Sequence, residues 1–253
     1  MGGAASKPDA PPAAYNVYNQ RLDPTNNMPV VANQLPWPGQ KELLSTERVP
    51  STIAKGGGGR WVFPSQQMFY NALQRKGKGD DVTEADMPSV IDVHNTMNEL
   101  TWRQVLIWER LRTPGRASEP ALVRFLGRPD SLSPRARMRT LTGGASRLAS
   151  AFLRSAHALR AGAAPFDRHD WYVDPVGDGR EVRYVIDFYF DDALAGSPDA
   201  FHLDVRPAVD SLSSLELRAR MGVYVWCAKL GLPCPFTGAP ATVGVNVRAP
   251  ASA

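Results

Sequence analysis

The 253-residue chain is 43% hydrophobic and 21% charged, a globular mix that excludes collagen-like, coiled-coil and wholly disordered architectures. Its 29 basic and 25 acidic residues leave a net charge of +4, compatible with an acidic partner or a membrane surface but indicating neither. No RNA- or DNA-binding motif accompanies it, so no nucleic-acid partner is expected. Two cysteines, Cys227 and Cys234, exclude a disulfide-rich scaffold and a four-cysteine zinc site.

Residues 1–60 are expected to form a long Pro/Gly-rich N-terminal tail, with Pro11, Pro12, Pro24, Pro29, Pro36, Pro38 and Pro50 followed by the run Gly56 to Gly59. Such a segment buries little apolar surface by itself, although Met28, Leu35 and Trp37 offer docking contacts. The first residues contain no apolar signal core, and Gly2 with Ser6 fits the loose myristoylation pattern. Regular structure is expected from Trp61 onward. In WVFPSQQMFYNALQRKGKG, Ser65 reads as an N-cap, Met68, Phe69, Ala72 and Leu73 recur at helical spacing, and Gly77 ends the helix. A long helix is predicted over SVIDVHNTMNELTWRQVLIWERL, with Pro88 at its start and Pro114 beyond its end. Ser133-Pro134 opens a shorter helix over residues 135–141. Residues 145–164 read as a basic amphipathic helix, suited either to packing on the domain or to a membrane surface.

The hydrophobic period then changes from that of a helix to two. In EVRYVIDFYF, residues Val182, Tyr184, Ile186, Phe188 and Phe190 share a face, and in FHLDVRP so do Phe201, Leu203 and Val205. With DWYV before them, these segments predict an antiparallel meander. The fold class is therefore α+β, a helical N-terminal half packed with a small antiparallel β-meander. The expected domain runs over residues 61–213, and residues 214–253 form a C-terminal extension, read either as a membrane or partner contact or as an extra packed segment. No transmembrane span is predicted.

No G-x-S-x-G, P-loop, GxGxxG or H-E-x-x-H motif occurs, so the common hydrolase, kinase and dehydrogenase readings lack support. His94 lies inside the long helix, on a face shared with Val90, Met97, Asn98, Thr101, Val105 and Trp108. That pattern fits a packed core histidine. It also fits a single axial ligand to a flat cofactor such as haem, with Trp102 and Trp108 nearby. His169 sits in PFDRHDW, where Arg168, His169 and Asp170 form a polar cluster bracketed by Phe166 and Trp171; this is either an ion-pair corner or an anchor for carboxylates or a peptide. Trp61 is placed either to pack on Phe69 and Tyr70 or to stack on a planar ligand.

Taken together, DPTNNMP, PGQKELLSTERVPSTI, WVFPSQQMFYNALQRKGKG, VHNTMNELTWRQVLIWE, LVRFLGRPDSLSPRARM, PFDRHDWYV, EVRYVIDFY and FHLDVRPAVDSL resemble the holocytochrome c synthase (cytochrome c haem lyase) family from about Asp23 to Leu212. The resemblance implies an enzyme that joins the vinyl groups of haem b, in its ferrous form, to the two cysteines of the C-x-x-C-H motif of apocytochrome c. It implies a location in the mitochondrial intermembrane space, peripheral on the inner membrane. By the same resemblance, His94 is the axial ligand to the haem iron, Glu99 takes part in haem handling, and Trp61 contacts haem. Asn95 and Trp102 of the same helix, and Arg168, His169, Asp170 and Trp171, complete the expected cofactor-binding set. Arg60, Arg124, Arg128 and Arg168 are candidates for the haem propionates. Glu99 lies roughly 140° around the helix from His94, which favours bracing the helix or contacting the substrate over touching the imidazole. The N-terminal segment lacks the Cys-Pro motifs common in the family; Cys234-Pro235 falls beyond the resemblance. A haem-binding chaperone that delivers haem without covalent attachment is the competing class, and a scaffold that has lost haem is a third.

Overall fold

The computed structural model describes residue 14 and residues 20–31, 33–80, 82–115, 118–141, 164–197 and 200–237. Gly2, Ser6 and almost all of the amphipathic segment at 145–164 lie outside the described residues.

Four antiparallel strands, β3 (Ala121–Gly127), β4 (Asp167–Asp174), β5 (Val182–Phe190) and β6 (Phe201–Pro207), form a meander in the order β3-β4-β5-β6. Helix α2 (Met87–Arg112) crosses one face. Tyr184, Ile186 and Phe188 of β5, Trp171 and Val173 of β4, and Val205 of β6 meet Met97, Leu100, Trp102 and Val105 of α2 in the core. Fully burying each large apolar side chain there contributes about 1.5–3 kcal/mol. Two polar contacts lock the helix to the sheet: Trp108 Nε1–H donates to the Val205 carbonyl (2.9 Å), and the Tyr184 hydroxyl donates to Glu109 Oε1 (2.5 Å).

The α+β class and the meander follow the sequence pattern, and the helix signals place their ends well. Ser65 caps α1 (Gln66–Arg75) by accepting from the Met68 N–H, Pro88 occupies the first turn of α2, and α3 (Pro134–Leu141) begins at Pro134. Strand β3 was missed, because LVRFLG has no clean alternation; a register shift between Leu122 and Arg124 interrupts it. Regular structure also begins earlier than Trp61. β1 (Pro50–Ala54) pairs with β2 (Arg60–Val62), and the glycine run is their connecting loop. Gly57, Gly58 and Gly59 all have positive φ, so a composition that suggests disorder is here the requirement of a hairpin.

That hairpin clamps onto β3. The Gly56 N–H and Trp61 Nε1–H both donate to the Leu122 carbonyl (2.9 and 3.0 Å). A Cβ at Gly56 would lie 3.1 Å from the Val123 backbone, so glycine permits this approach. The segment before β1 docks on α1 through polar groups rather than through Leu35, which is exposed. Buried Asn71 donates to the Asn33 and Leu35 carbonyls, and buried Gln67 exchanges amide hydrogen bonds with Gln40.

Helix α4 (Leu212–Leu230) occupies the segment expected as a C-terminal extension. Ser211 caps its start and Gly231, at φ 66°, ends it. It packs on α2 and β6, while Leu212, Leu215, Val223, Trp226 and Leu230 face solvent. Among the described residues, no helix is long and apolar enough to cross a membrane.

Candidate functional site

His94 lies on the third turn of α2, half-buried between two aromatic rings. Phe69 of α1 meets its ring edge-on at 4.9 Å between centroids, and Phe63, just after β2, does so at 6.1 Å. His94 Nδ1 lies 3.0 Å from the Asn95 side-chain oxygen. With Nδ1–H donating to that oxygen, Nε2 keeps its lone pair and the ring is held in one tautomer. Burial pushes the His94 pKa below its ordinary range. The Asn95 hydrogen bond opposes this, the neighbouring His169 adds to it, and Asp167 opposes it. The imidazole is therefore neutral at pH 7, the form that binds a metal ion.

Two residues before the core Trp171 on β4, His169 points to the same α2-facing side of the sheet. Its ring stacks on Phe125 of β3 (6.4 Å, 21° between planes) and meets Phe188 of β5 edge-on (5.3 Å). Its Nε2 is 3.1 Å from Asp167 Oδ2 and its Nδ1 is buried without a hydrogen-bond partner. Trp61 closes this wall, packing edge-on against Phe125 at 5.4 Å with Lys55 over its ring. It does not reach Phe69 or Tyr70 as a helix staple, because its indole N–H is tied to β3.

Strand geometry divides the R-H-D-W segment. Successive side chains alternate faces, so His169 and Trp171 point to the α2 side while Arg168 and Asp170 point to the other. Fully buried Asp170 gathers Arg168 and Arg183 (both 2.9 Å) and Arg128 (3.2 Å). A second buried pair, Asp187 with Arg206 (2.6 Å), lies on the same far face and is bridged to the start of α3 by Ser133. Trp171 and Trp102, 1% and 2% exposed, fill the core. Trp61 and His169 thus share Phe125 as a neighbour, and His94 with Asn95 sits on α2 against Phe63 and Phe69, whereas Arg168, Asp170, Trp102 and Trp171 are buried away from these rings.

Glu99 faces away from His94, onto the hairpin. It accepts hydrogen bonds from the Ser51 hydroxyl (2.7 Å), the Thr52 N–H (2.8 Å) and the Thr52 hydroxyl. It braces α2 against β1 and so fixes the hairpin that carries Trp61. The four candidate arginines are all engaged. Arg60 holds Glu119 (2.9 Å), Arg124 holds Glu181 (2.8 Å) and stacks on Tyr172, and Arg168 and Arg128 hold Asp170. The aromatic walls at Phe63, Phe69, Phe125 and Phe188, and the carboxylate at Asp167, were not foreseen as site residues. Only Phe69, in the α1 stripe, and Phe188, on the alternating face of β5, carried a local signal.

This is an α+β protein with a neutral, oriented imidazole among aromatic rings, a setting suited to a large planar metal complex. The chain belongs to the cytochrome c/c1 heme lyase family, whose model matches residues 4–221. It is 42% identical over 212 residues to the holocytochrome c-type synthase of Gallus gallus, covering 82% of this chain and 70% of the relative. The corresponding Homo sapiens protein is 40% identical over 218 residues (85% and 73%). The holocytochrome-c synthase of Saccharomyces cerevisiae is 40% identical over 219 residues (79% and 75%). No solved structure matches the chain. Family membership makes it a lyase that acts on haem in cytochrome c maturation.

Proposed function

We propose that this chain is a holocytochrome c synthase that holds haem b through His94 and joins its two vinyl groups to the two cysteine thiols of the C-x-x-C-H motif of apocytochrome c. The observation that carries this reading is the His94 ring, neutral, oriented by Asn95 and walled by Phe63 and Phe69. His94 is the better ligand of the two histidines, because His169 Nε2 is taken by Asp167 and its Nδ1 is buried. Each thioether forms by addition: sulfur bonds one vinyl carbon, the thiol proton goes to the other, and nothing leaves. The protein's contribution is placement. One haem face rests on His94 and the other accepts the histidine of the C-x-x-C-H motif, which brings both thiols beside the vinyls. Such positioning is worth effective molarities of about 10⁵–10⁸ M. Ferrous iron is the form for attachment, and the reductant comes from outside this chain. Trp61 and His169 line the haem, with Phe125 between them. The location that follows is the mitochondrial intermembrane space, peripheral on the inner membrane.

The test is co-expression with apocytochrome c in bacteria lacking their own maturation system, with covalent haem stained on a denaturing gel. Wild type should give a haem-positive cytochrome band and His94→Ala should reduce it at least tenfold. Equal bands would remove His94 as the ligand. A haem spectrum in the purified wild type without any covalent product would favour the haem-delivery chaperone.

A further inference from the structure

Helix α1 meets its surroundings through two opposite faces. Gln67 and Asn71, one turn apart and only 1% and 2% exposed, form its back. The segment before β1 clamps them through amides and carbonyls. Gln67 and Gln40 exchange two hydrogen bonds (2.8 and 2.9 Å), and the Gln67 amide also donates to Asn71 Oδ1 (3.0 Å). The Asn71 amide donates to the Asn33 and Leu35 carbonyls (3.1 and 3.0 Å). At the start of the helix the Ser65 hydroxyl donates to Gln34 Oε1 (2.9 Å), and the Gln67 N–H donates to the Ser45 carbonyl (3.1 Å). Apolar side chains at 67 and 71 would tolerate sliding; buried amides do not, because a slip leaves donors and acceptors unpaired. Phe69 lies two residues from both Gln67 and Asn71, roughly 200° around the helix, so it projects from the front. There its ring meets the His94 imidazole at 4.9 Å between centroids, with 61° between planes.

We propose that Phe69 is a positioning residue for the iron ligand: the amide clamp on the back of α1 pins its ring against His94 and so fixes the plane of the imidazole that meets the iron. The inference rests on the haem-binding reading above and adds the element that sets the ligand's angle. Asn95 fixes one point of the imidazole, Nδ1, and a ring held at one point can still rock about that hydrogen bond. Edge contacts from two separate elements oppose the rocking, Phe69 from α1 and, farther off at 6.1 Å, Phe63 from just after β2. The clamp lies on the side of α1 away from His94, and it therefore acts through Phe69.

The purified full chain is titrated with iron protoporphyrin IX, following the Soret band, and the iron–histidine stretching band of the reduced complex is recorded by resonance Raman. Phe69→Leu should bind haem about two- to tenfold more weakly, the worth of one aromatic pair, and should shift or broaden the iron–histidine band. Phe69→Tyr, which keeps the ring, should restore both. Asn71→Ala should reproduce the loss and the band change, and adding it to Phe69→Leu should cost no further affinity. Gln40→Ala, which loosens the clamp from outside α1, replaces Asn71→Ala if that variant does not fold. An unmoved band in Phe69→Leu, whatever happens to its affinity or melting temperature, would overturn the proposal. So would a loss in the clamp variant that adds in full to that of Phe69→Leu. Failure of the underlying reading looks different: wild type then binds no haem or shows no iron–histidine band, or His94→Ala gives the wild-type band.

Discussion

At the scale of the single residue, the neighbours of His94, more than its place in a motif, suit it to the ligand role proposed above. Asn95 follows it directly in sequence, yet its side-chain oxygen turns back to within 3.0 Å of Nδ1. Removing such an orienting partner typically weakens a metal site by about 10- to 100-fold. Asn95→Leu should therefore lower haem affinity by that order in a Soret titration while leaving His94 as the ligand. An affinity unchanged within twofold would show that the aromatic rings alone orient the imidazole. The depressed His94 pKa sets a pH dependence. Below the ordinary value of 6.5 the unfolded chain takes up a proton that the folded chain resists, so stability falls as pH falls. His94→Gln should flatten the dependence of the melting temperature on pH below 6.5, and parallel wild-type and variant curves would contradict the assignment.

At the scale of the element, the β1–β2 hairpin is held by a few polar contacts. Glu99 grips Ser51 and Thr52 on one side, and the Leu122 carbonyl receives Gly56 and Trp61 on the other. Glu99→Ala leaves the Ser51 hydroxyl and Thr52 groups without their acceptor and should cost about 1–3 kcal/mol of stability. Because Glu99 faces away from His94, the Soret position of bound haem should not move, although affinity should fall as Trp61 loosens. A shifted Soret band in this variant would mean that Glu99 acts on the iron site directly. The ends of α1 and the start of α2 were legible in the sequence because capping is local chemistry: Ser65, Gly77 and Pro88 act on backbone groups within a turn of themselves. Strand β1 was not legible, because two short strands joined by glycines have little local signal and are defined by pairing.

At the scale of the whole molecule, the central sheet is buried on both faces by different means. Its α2 face is apolar, while its far face carries the Asp170 and Asp187 ion-pair clusters. The Tyr184–Glu109 hydrogen bond joins the helix to the sheet within the core. Tyr184→Phe keeps the ring but removes the hydroxyl that donates to the buried Glu109 carboxylate. It should cost about 2 kcal/mol, a fall of roughly 4–8 °C in melting temperature. A fall of under 1 °C would mean that the bond is energetically neutral. The solvent-facing stripe of α4, from Leu212 to Leu230 with Trp226 65% exposed, leaves that helix packed on one side and apolar on the other, so both readings of the C-terminal extension retain a physical basis.

The sequence by itself determined the first three helices, the last three strands of the meander and the family. Periodicity, caps and long ordered matches are properties of neighbouring residues and survive without a fold. It also singled out His94, His169, Trp61 and Glu99. Only the tertiary structure decided what these do together. Alternation along β4 sends His169 toward α2 and Asp170 away, pairing across the sheet supplies Phe125 and Phe188 as walls, and α1 lays Phe69 against His94. These arrangements arise because side chains far apart in sequence must share one face of one sheet, a constraint that no local pattern records.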